Sequence, residues 1–346
     1  MQIKDINGLE IINNEKINSQ FLSTINNDLN KECKTYFGNF FLDSFNYFPI
    51  TEENYTFKDH FSWGNTYKYE NFYSQKFIDN FYVKKNNFSK FSNAFVLGSS
   101  VSDNYYRNII TFLPRLFFID DKEINLVLHR NSSNRFRELI KQILKQLNVK
   151  VKKFIYLDDD FYYFENSKMP QFFNNSFSIK ILNKILSKNI SDKKNKLYLS
   201  RQNSNYRNLI NEGDIIDNLK DLDFEILDAN NISIKEQIAK FSEASVVVGP
   251  TSSSLANIIF CSPGTNVIEI IPRYQFEYEN ELKSRYSEIC NEIGLNYFSI
   301  EADPIEKNKI PNNVTKYIAP KVLDESNYYK DLLVEKNKFK QLVNNY

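Results

Sequence analysis

From residue 93 onward, short apolar runs alternate with stretches in which apolar residues recur at helical spacing. The runs in NAFVLGSS (93–100), INLVLHR (124–130) and VKKFIYL (151–157) have the length and character of buried strands. Between them, residues 103–119 and 133–147 show the three- and four-residue spacing of amphipathic helices. This alternation predicts a parallel α/β domain.

Residues 1–92 are aromatic, rich in Asn and poorly periodic, which predicts loops and short strands. The polar segment FENSKMPQFFNNS (164–176) also lacks a period and predicts a break between two halves of the chain. We therefore predict an N-terminal α/β domain over 1–170 and a C-terminal one over 171–320. A helix is expected within 321–346, where it can pack back on the N-terminal domain.

The second half repeats the alternation of strands and helices. Its strands are predicted at KLYLS (196–200), FEILDA (224–229), SVVVG (245–249) and TNVIEII (265–271). Short connections follow the carboxyl ends of these strands, and that edge of a parallel sheet is where ligands bind.

Composition narrows the classes of function that fit. The 44 basic and 43 acidic residues leave a net charge of +1, so no basic field points to nucleic acid. Hydrophobic residues make up 42% of the chain, with 30 Phe and 22 Tyr, which is enough for a large core. The three cysteines have no paired spacing, which argues against a disulfide framework or a zinc site. With no apolar signal segment at the start, we expect a cytoplasmic protein.

The stretch VVVGPTSSSLANIIF (246–260) places four hydroxyl residues between an apolar strand and a helix. A helix that begins just after a strand points its unpaired N–H groups and positive dipole end at the sheet edge, where anions bind. Thr251, Ser252, Ser253 and Ser254 would add hydroxyl donors for a phosphate group. Ordinary N-capping is the alternative, but a cap needs one hydroxyl.

Three charged residues flank this turn in the sequence. Glu269 lies in the apolar strand NVIEIIP, where an ionised side chain is costly unless it has a partner. A ribose diol would provide one, and a local Arg is the alternative. Arg201 and Arg207 follow another strand in SRQNSNYR, and guanidinium groups suit pyrophosphate oxygens. Surface ion pairs are the alternative for both arginines.

The order of these segments resembles glycosyltransferase family 61. The similarity covers about residues 195–272, through LYLSR, IKEQIAKFSEASVVVGP, LANIIF and PGTNVIEIIP. In addition, DNYYRNIITFLPRL (103–116) resembles the family's Asn-Tyr-Tyr-His-Trp segment before Pro-Arg-Leu. The resemblance implies a GT-B fold, in which two Rossmann-like domains face a cleft that holds a nucleotide-sugar. It also implies inverting transfer with no cofactor and no obligatory metal.

On this interpretation, the C-terminal domain binds the donor and the N-terminal domain binds a glycan acceptor. The candidate donor-binding residues are Arg201, Arg207, Thr251, Ser252, Ser253, Ser254 and Glu269.

The chain departs from the family pattern at two places. Thr251-Ser252-Ser253 stands where the family commonly has His-Gly-Ala, and Arg107 stands where it has its other His. Arg107 stays protonated and cannot act as a base. We therefore expect it to contact an anion or the glycan acceptor. Asp103, one helical turn earlier, is the substitute candidate for the catalytic base, although Asp is also a good N-cap.

Two other functions remain open from the sequence. Asp158, Asp159 and Asp160 follow an apolar strand and resemble the Asp-x-Asp signature of metal-dependent GT-A glycosyltransferases, in which Asp158 and Asp160 would hold the metal. A solvated acidic loop is the alternative for this run. Loss of both family histidines also allows a non-catalytic protein that binds a nucleotide-sugar or glycan in polysaccharide assembly.

The stretch FYVKKNNFSKF (81–91) mixes lysines with aromatic residues and could rest on an anionic membrane surface. Such contact would bring the enzyme to a lipid-linked acceptor at the inner face of the cytoplasmic membrane. A solvated loop with buried aromatic residues is the alternative. The expected partners are thus a nucleotide-sugar donor and an oligosaccharide or lipid-linked glycan acceptor, without nucleic acid.

Overall fold

The computed structural model forms two compact units, Met1–Ser178 and Ile179–Tyr346. The residues that it describes are 4–6, 9–12, 21–26, 31–44, 47–60, 87–98, 104–186, 194–202, 204, 207–273, 279–305 and 330–346.

The first unit is built on a mixed β-sheet. The strands described in it are β1 (Lys4–Ile6), β2 (Leu9–Ile12), β3 (Phe21–Asn26), β4 (Lys31–Asp43), β5 (Phe48–Thr51), β6 (Tyr55–Phe57), β7 (Ser89–Ser92), β8 (Ala94–Val96), β9 (Glu123–His129), β10 (Lys150–Leu157) and β11 (Phe161–Pro170). The main sheet has the order β10-β9-β8-β11-β4-β3, with β5 on β4 and β7 on β11. Strands β1, β2 and β6 form a separate small sheet.

The predicted parallel strands β8, β9 and β10 are present and pair in parallel. The polar segment predicted to separate the two halves is not free of secondary structure, because Phe164–Pro170 belongs to β11, which runs antiparallel to the long strand β4. Its alternation is hidden by a register shift between Phe164 and Ser167, where Asn166 takes a left-handed backbone conformation. A bulge of this kind interrupts the two-residue period that identifies a strand in sequence.

Helical segments were predicted at 103–119 and 133–147, and both are present. The first begins at α1 (Tyr105–Arg107), continues as a π-helical stretch (Asn108–Phe112) and ends as a 3₁₀ helix at Leu113–Phe118. Pro114 lies in the first turn of the 3₁₀ part, where proline is tolerated because it has no N–H to donate to the preceding turn.

The second is the regular helix α2 (Asn134–Gln146), and a short 3₁₀ turn lies at Lys58–His60. A further helix, α3 (Asn175–Leu186), begins in the first unit and ends in the second. Ser133 caps α2 by accepting the Phe136 N–H at 3.2 Å.

The second unit contains a sheet whose first five strands are parallel. Its described strands and helices are β12 (Asn195–Leu199), α4 (Glu212–Lys220), β13 (Phe224–Leu227), α5 (Ile234–Ser242), β14 (Ala244–Pro250), the 3₁₀ helix Ser253–Phe260, β15 (Asn266–Pro272), α6 (Glu279–Ile293), β16 (Asn296–Pro304), β17 (Leu332–Val334) and α7 (Lys336–Val343). The sheet order is β13-β12-β14-β15-β16-β17, and β17 is antiparallel to β16. The predicted α/β class is therefore confirmed.

Helix α7 belongs to the core of the second unit. Its Phe339 and Val343 are buried with Val246, Val248 and Ile268 of the central strands. We expected a terminal helix that could return to the N-terminal domain, whereas the packing that the structure describes for α7 is on the sheet of the second unit.

Replacing Phe339 with Ala should lower the free energy of unfolding by about 3–5 kcal/mol, because the ring is fully buried and its removal leaves a cavity. The neighbouring exposed Lys340→Ala variant is the matched control, with an expected effect within about 0.5 kcal/mol. Urea unfolding followed by circular dichroism measures both. Equal stability of the two variants would show that α7 is not part of this core.

Candidate functional site

The predicted donor-binding residues lie at the carboxyl ends of β12, β14 and β15. The chain leaves β12 to form β13 on one side and later β14 on the other, so the strand order reverses between β12 and β14. Ligands of open α/β sheets bind in the crevice at such a reversal. A Cβ on Gly249 would lie 2.9 Å from the Leu199 Cβ, so the two strands approach each other closely just below this edge.

The four hydroxyl residues do not act as an ordinary helix cap. The predicted helix begins at Ser253, but it is a 3₁₀ helix, and the side chain of its N-cap residue Ser252 makes no capping hydrogen bond. Thr251 and Ser252 are buried, whereas Ser253 and Ser254 are partly exposed. The Tyr286 hydroxyl donates to the Ser252 carbonyl and ties the turn to α6.

Beneath this turn lies the buried carboxylate of Glu269. The Thr251 hydroxyl donates to its Oε1 at 2.5 Å, and the Tyr297 hydroxyl donates to its Oε2 at 2.8 Å. Burial raises the pKa of Glu269 from 4.5 to about 7, against the opposing effects of both hydroxyls and of Arg285 and Arg207. The carboxylate has no exposed surface, so its contact with a ribose stays a prediction.

The two predicted arginines are joined in one loop after β12. Arg201 Nε donates to the Arg207 carbonyl at 3.2 Å, and the Arg201 N–H donates to Glu212 Oε1 at 2.8 Å. Arg207 is largely buried in a left-handed backbone conformation, with φ of 53°, that non-glycine residues seldom adopt. Since the charge of Arg207 lowers the pKa of Glu269, the loop and the buried carboxylate belong to one electrostatic site.

A segment near the end of the chain holds this loop in place. Asp331 Oδ1 accepts from the Asn208 backbone N–H at 2.9 Å and from its side-chain amide at 3.2 Å. The Asn211 amide donates to the Val334 carbonyl at 2.8 Å, which continues the contact. Burial raises the pKa of Asp331.

Sequence reasoning missed Glu212, Asp331 and Tyr297. Glu212 had one usable signal, since it is an acidic residue in the first turn of a predicted helix. Asp331 and Tyr297 are far from their partners in sequence, and their roles come from tertiary packing.

The candidate residues of the first unit are Asp103 and Arg107. Asp103 lies outside the described residues. The cap of α1 is Asn104, whose side chain accepts the Arg107 N–H at 3.2 Å. The neighbouring Arg115 is fully buried, and its guanidinium donates to the carbonyls of Leu97 and Pro170, so it links two strands of the sheet.

The acidic run follows β10, as predicted. Asp158 accepts from Arg130 Nε at 2.6 Å, and Asp159 Oδ1 lies 2.8 Å from His129 Nε2. His129 Nδ1 accepts from the Asn131 N–H, so Nε2 is the nitrogen that donates to Asp159. Two of the three aspartates thus have basic partners. Among the residues that the structure describes, no three His, Cys, Asp or Glu side chains come together to hold a metal ion.

The raised pKa of Glu269 predicts a pH dependence of stability. In the unfolded chain its carboxyl ionises near 4.5, and in the folded chain near 7, so the folded state binds the extra proton between these values. The stabilisation is complete below about pH 4.5 and is lost as the pH rises through about 7, a change of about 3 kcal/mol.

Glu269→Gln should abolish this slope of the free energy of unfolding against pH. Urea denaturation between these pH values measures it, and Glu236→Gln on the exposed face of α5 is the control. Parallel slopes for wild type and Glu269→Gln would contradict the raised pKa.

Comparison with known proteins agrees with the resemblance seen in the sequence. The family model described as Glycosyltransferase 61 matches residues 37–268, from β4 to β15. A comparison with curated proteins gives no significant match. None of the helices in the described part of the chain has the length and hydropathy of a membrane span. Since the matched region covers most of the chain and includes the Arg201 loop and the 251–254 turn, the chain belongs to glycosyltransferase family 61 and is a glycosyltransferase enzyme.

Proposed function

We propose that the chain is an inverting GT-B glycosyltransferase that moves a sugar from a UDP-linked donor to a glycan acceptor in bacterial surface or capsular polysaccharide synthesis. The observation that carries this proposal is that the Arg201–Arg207 loop and the 251–254 turn follow neighbouring strands at the strand-order reversal, where Arg207 and Thr251 both act on Glu269. Two guanidinium groups, two partly exposed hydroxyls and the start of a helix are a set of groups that suits a diphosphate.

In the proposed reaction, an acceptor hydroxyl attacks the anomeric carbon as the bond to the diphosphate breaks. A base takes the hydroxyl proton, and Asp103 is the candidate for it. Arg201 and Arg207, with Ser253 and Ser254, stabilise the charge that develops on the leaving diphosphate. Arg107 would contact the acceptor. These groups neutralise the diphosphate without a divalent ion, which is the basis for proposing a metal-independent enzyme.

The proposed location is the cytoplasm, with peripheral contact at the inner face of the membrane. Residues 81–86 of the basic aromatic stretch lie outside the described part. Its remainder includes β7, which pairs with β11, and Lys90 lies over the Tyr163 ring. The aromatic residues Phe88 and Phe91 also contact rings of the first unit. The proposal of membrane contact therefore depends mainly on the lysines.

The donor site is tested by thermal shift with UDP-glucose, dTDP-glucose and GDP-mannose, since a ligand of the native state raises Tm. We expect the UDP-sugar to give the largest increase. Arg201→Ala should weaken its binding by about 1.5–3 kcal/mol, or roughly 10–150-fold in Kd, because a charge-assisted contact to phosphate is lost.

The matched control is Arg273→Ala. This arginine follows β15 at the same edge, but its guanidinium is already paired with Glu301 at 3.0 Å and Asp303 at 2.8 Å. Equal effects of the two substitutions, or no Tm increase with any sugar nucleotide, would contradict the proposed site.

Metal independence is tested by release of UDP from UDP-glucose with purified protein, with and without EDTA. We expect the same rate in both conditions and a large loss of rate in Asp103→Asn. Loss of turnover in EDTA that Mg²⁺ restores would support the metal-dependent alternative at Asp158 and Asp160. Binding without turnover of any donor would support the non-catalytic alternative.

A further inference from the structure

Glu269 cannot contact a ligand in the described arrangement, since it is fully buried and both carboxylate oxygens are hydrogen-bonded. It nevertheless lies directly under the turn proposed to bind the diphosphate, because it holds the side chain of Thr251. An ionised carboxylate beneath an anion site is unfavourable for anion binding, because two negative charges in a region of low dielectric constant repel each other.

The groups that face Glu269 come from four elements. Thr251 at the end of β14 and Tyr297 on β16 donate hydrogen bonds to the carboxylate. Arg207 in the loop after β12 and Arg285 on α6 favour its charged form, and the Cys290 thiol on α6 is also within electrostatic reach. Burial disfavours the ionised form of Glu269 and has the largest effect on its pKa. The carboxyl is thus balanced between its two protonation states near neutral pH.

Binding of a diphosphate at the turn would change this balance in one direction. The added negative charge disfavours the carboxylate, and attraction of Arg207 to the diphosphate would withdraw a positive charge that favours it. The hydrogen bonds at Thr251 allow the neutral form, because the Thr251 hydroxyl also lies 3.3 Å from the Ile270 carbonyl. When Glu269 Oε1 carries a proton and donates to Thr251 Oγ1, the threonine proton turns to this carbonyl.

We propose that Glu269 is a positioning residue that holds Thr251 under the donor site and takes up one proton from solvent when the diphosphate of a nucleotide-sugar binds. In both protonation states the Thr251 hydroxyl stays hydrogen-bonded to Glu269, so the turn keeps its shape while the charge beneath it is removed. Thr251 therefore supports the turn from inside. Its hydroxyl donates to Glu269 or to the Ile270 carbonyl, and not to the ligand. This inference rests on the proposed donor site.

The test is isothermal titration calorimetry with UDP-glucose, whose diphosphate has no group that titrates near neutral pH. Measurements at one pH between about 7 and 8, in buffers of different ionisation enthalpy, give the number of protons taken up. Wild type should take up a substantial fraction of one proton, and its Kd should rise about tenfold between about pH 6 and about pH 9 for each unit by which binding raises the pKa. Glu236→Gln, on an exposed helix face, should behave as wild type.

Glu269→Gln imitates the neutral state. It should take up no proton, and its Kd should stay near the wild-type value for low pH across the whole range. Tyr297→Phe is the second variant, because it keeps the carboxyl and removes one hydroxyl that favours the anion. It should move the rise in Kd to higher pH, and it tests the idea even where Glu269→Gln does not fold.

The outcomes separate this inference from the proposed function. Binding of UDP-glucose without proton uptake overturns the inference and leaves the donor site standing. Uniform weakening in Glu269→Gln at every pH also overturns it and instead supports direct contact with the ribose. If UDP-glucose, dTDP-glucose and GDP-mannose all fail to bind, the donor site is wrong and the inference falls with it.

Discussion

Close parallel pairing of β12 with β14 is the constraint on which the candidate site depends. These strands are neighbours in the sheet although an entire strand and two helices separate them in the chain. Gly249 permits the approach, because a side chain there would meet Leu199. Since both strands end at the same edge, the loop after β12 and the turn after β14 are brought together. A different strand order would place the same residues apart.

Buried acidic residues stabilise the loops at this edge of the sheet, although their burial removes the carboxyl groups from water and is itself unfavourable. Glu269 supports the turn through Thr251, Glu212 accepts the Arg201 N–H, and Asp331 fixes Asn208. In each case burial raises the pKa of the carboxyl, so the ionised form is disfavoured. Networks of buried polar groups stabilise a defined arrangement only when their hydrogen bonds are made. Here that arrangement presents the two arginines and the hydroxyl turn.

Sequence periodicity was a good guide where strands are regular and buried. The apolar runs predicted β8, β9, β10 and the strands β12 to β15 of the second unit, and the ordered motifs predicted the family. The pattern failed at β11, where a bulge breaks the alternation, and in the aromatic N-terminal part, where β4 runs for thirteen residues. The apolar spacing also did not distinguish α-helices from the π-helical and 3₁₀ segments at 108–118 and 253–260. The helix type depends on local backbone hydrogen bonds, which the spacing of apolar residues does not report.

The sequence by itself determined the α/β class, the family and the residues at the strand ends, because these depend on local spacing and order. The tertiary structure alone decided that Glu269 is buried under Thr251 and that Asp331 holds the Arg201 loop. Both facts arise from contacts between residues distant in the chain, such as Tyr297 with Glu269 across neighbouring strands. Local patterns identify which residue types are available, whereas burial and hydrogen-bond partners follow from which strands become neighbours.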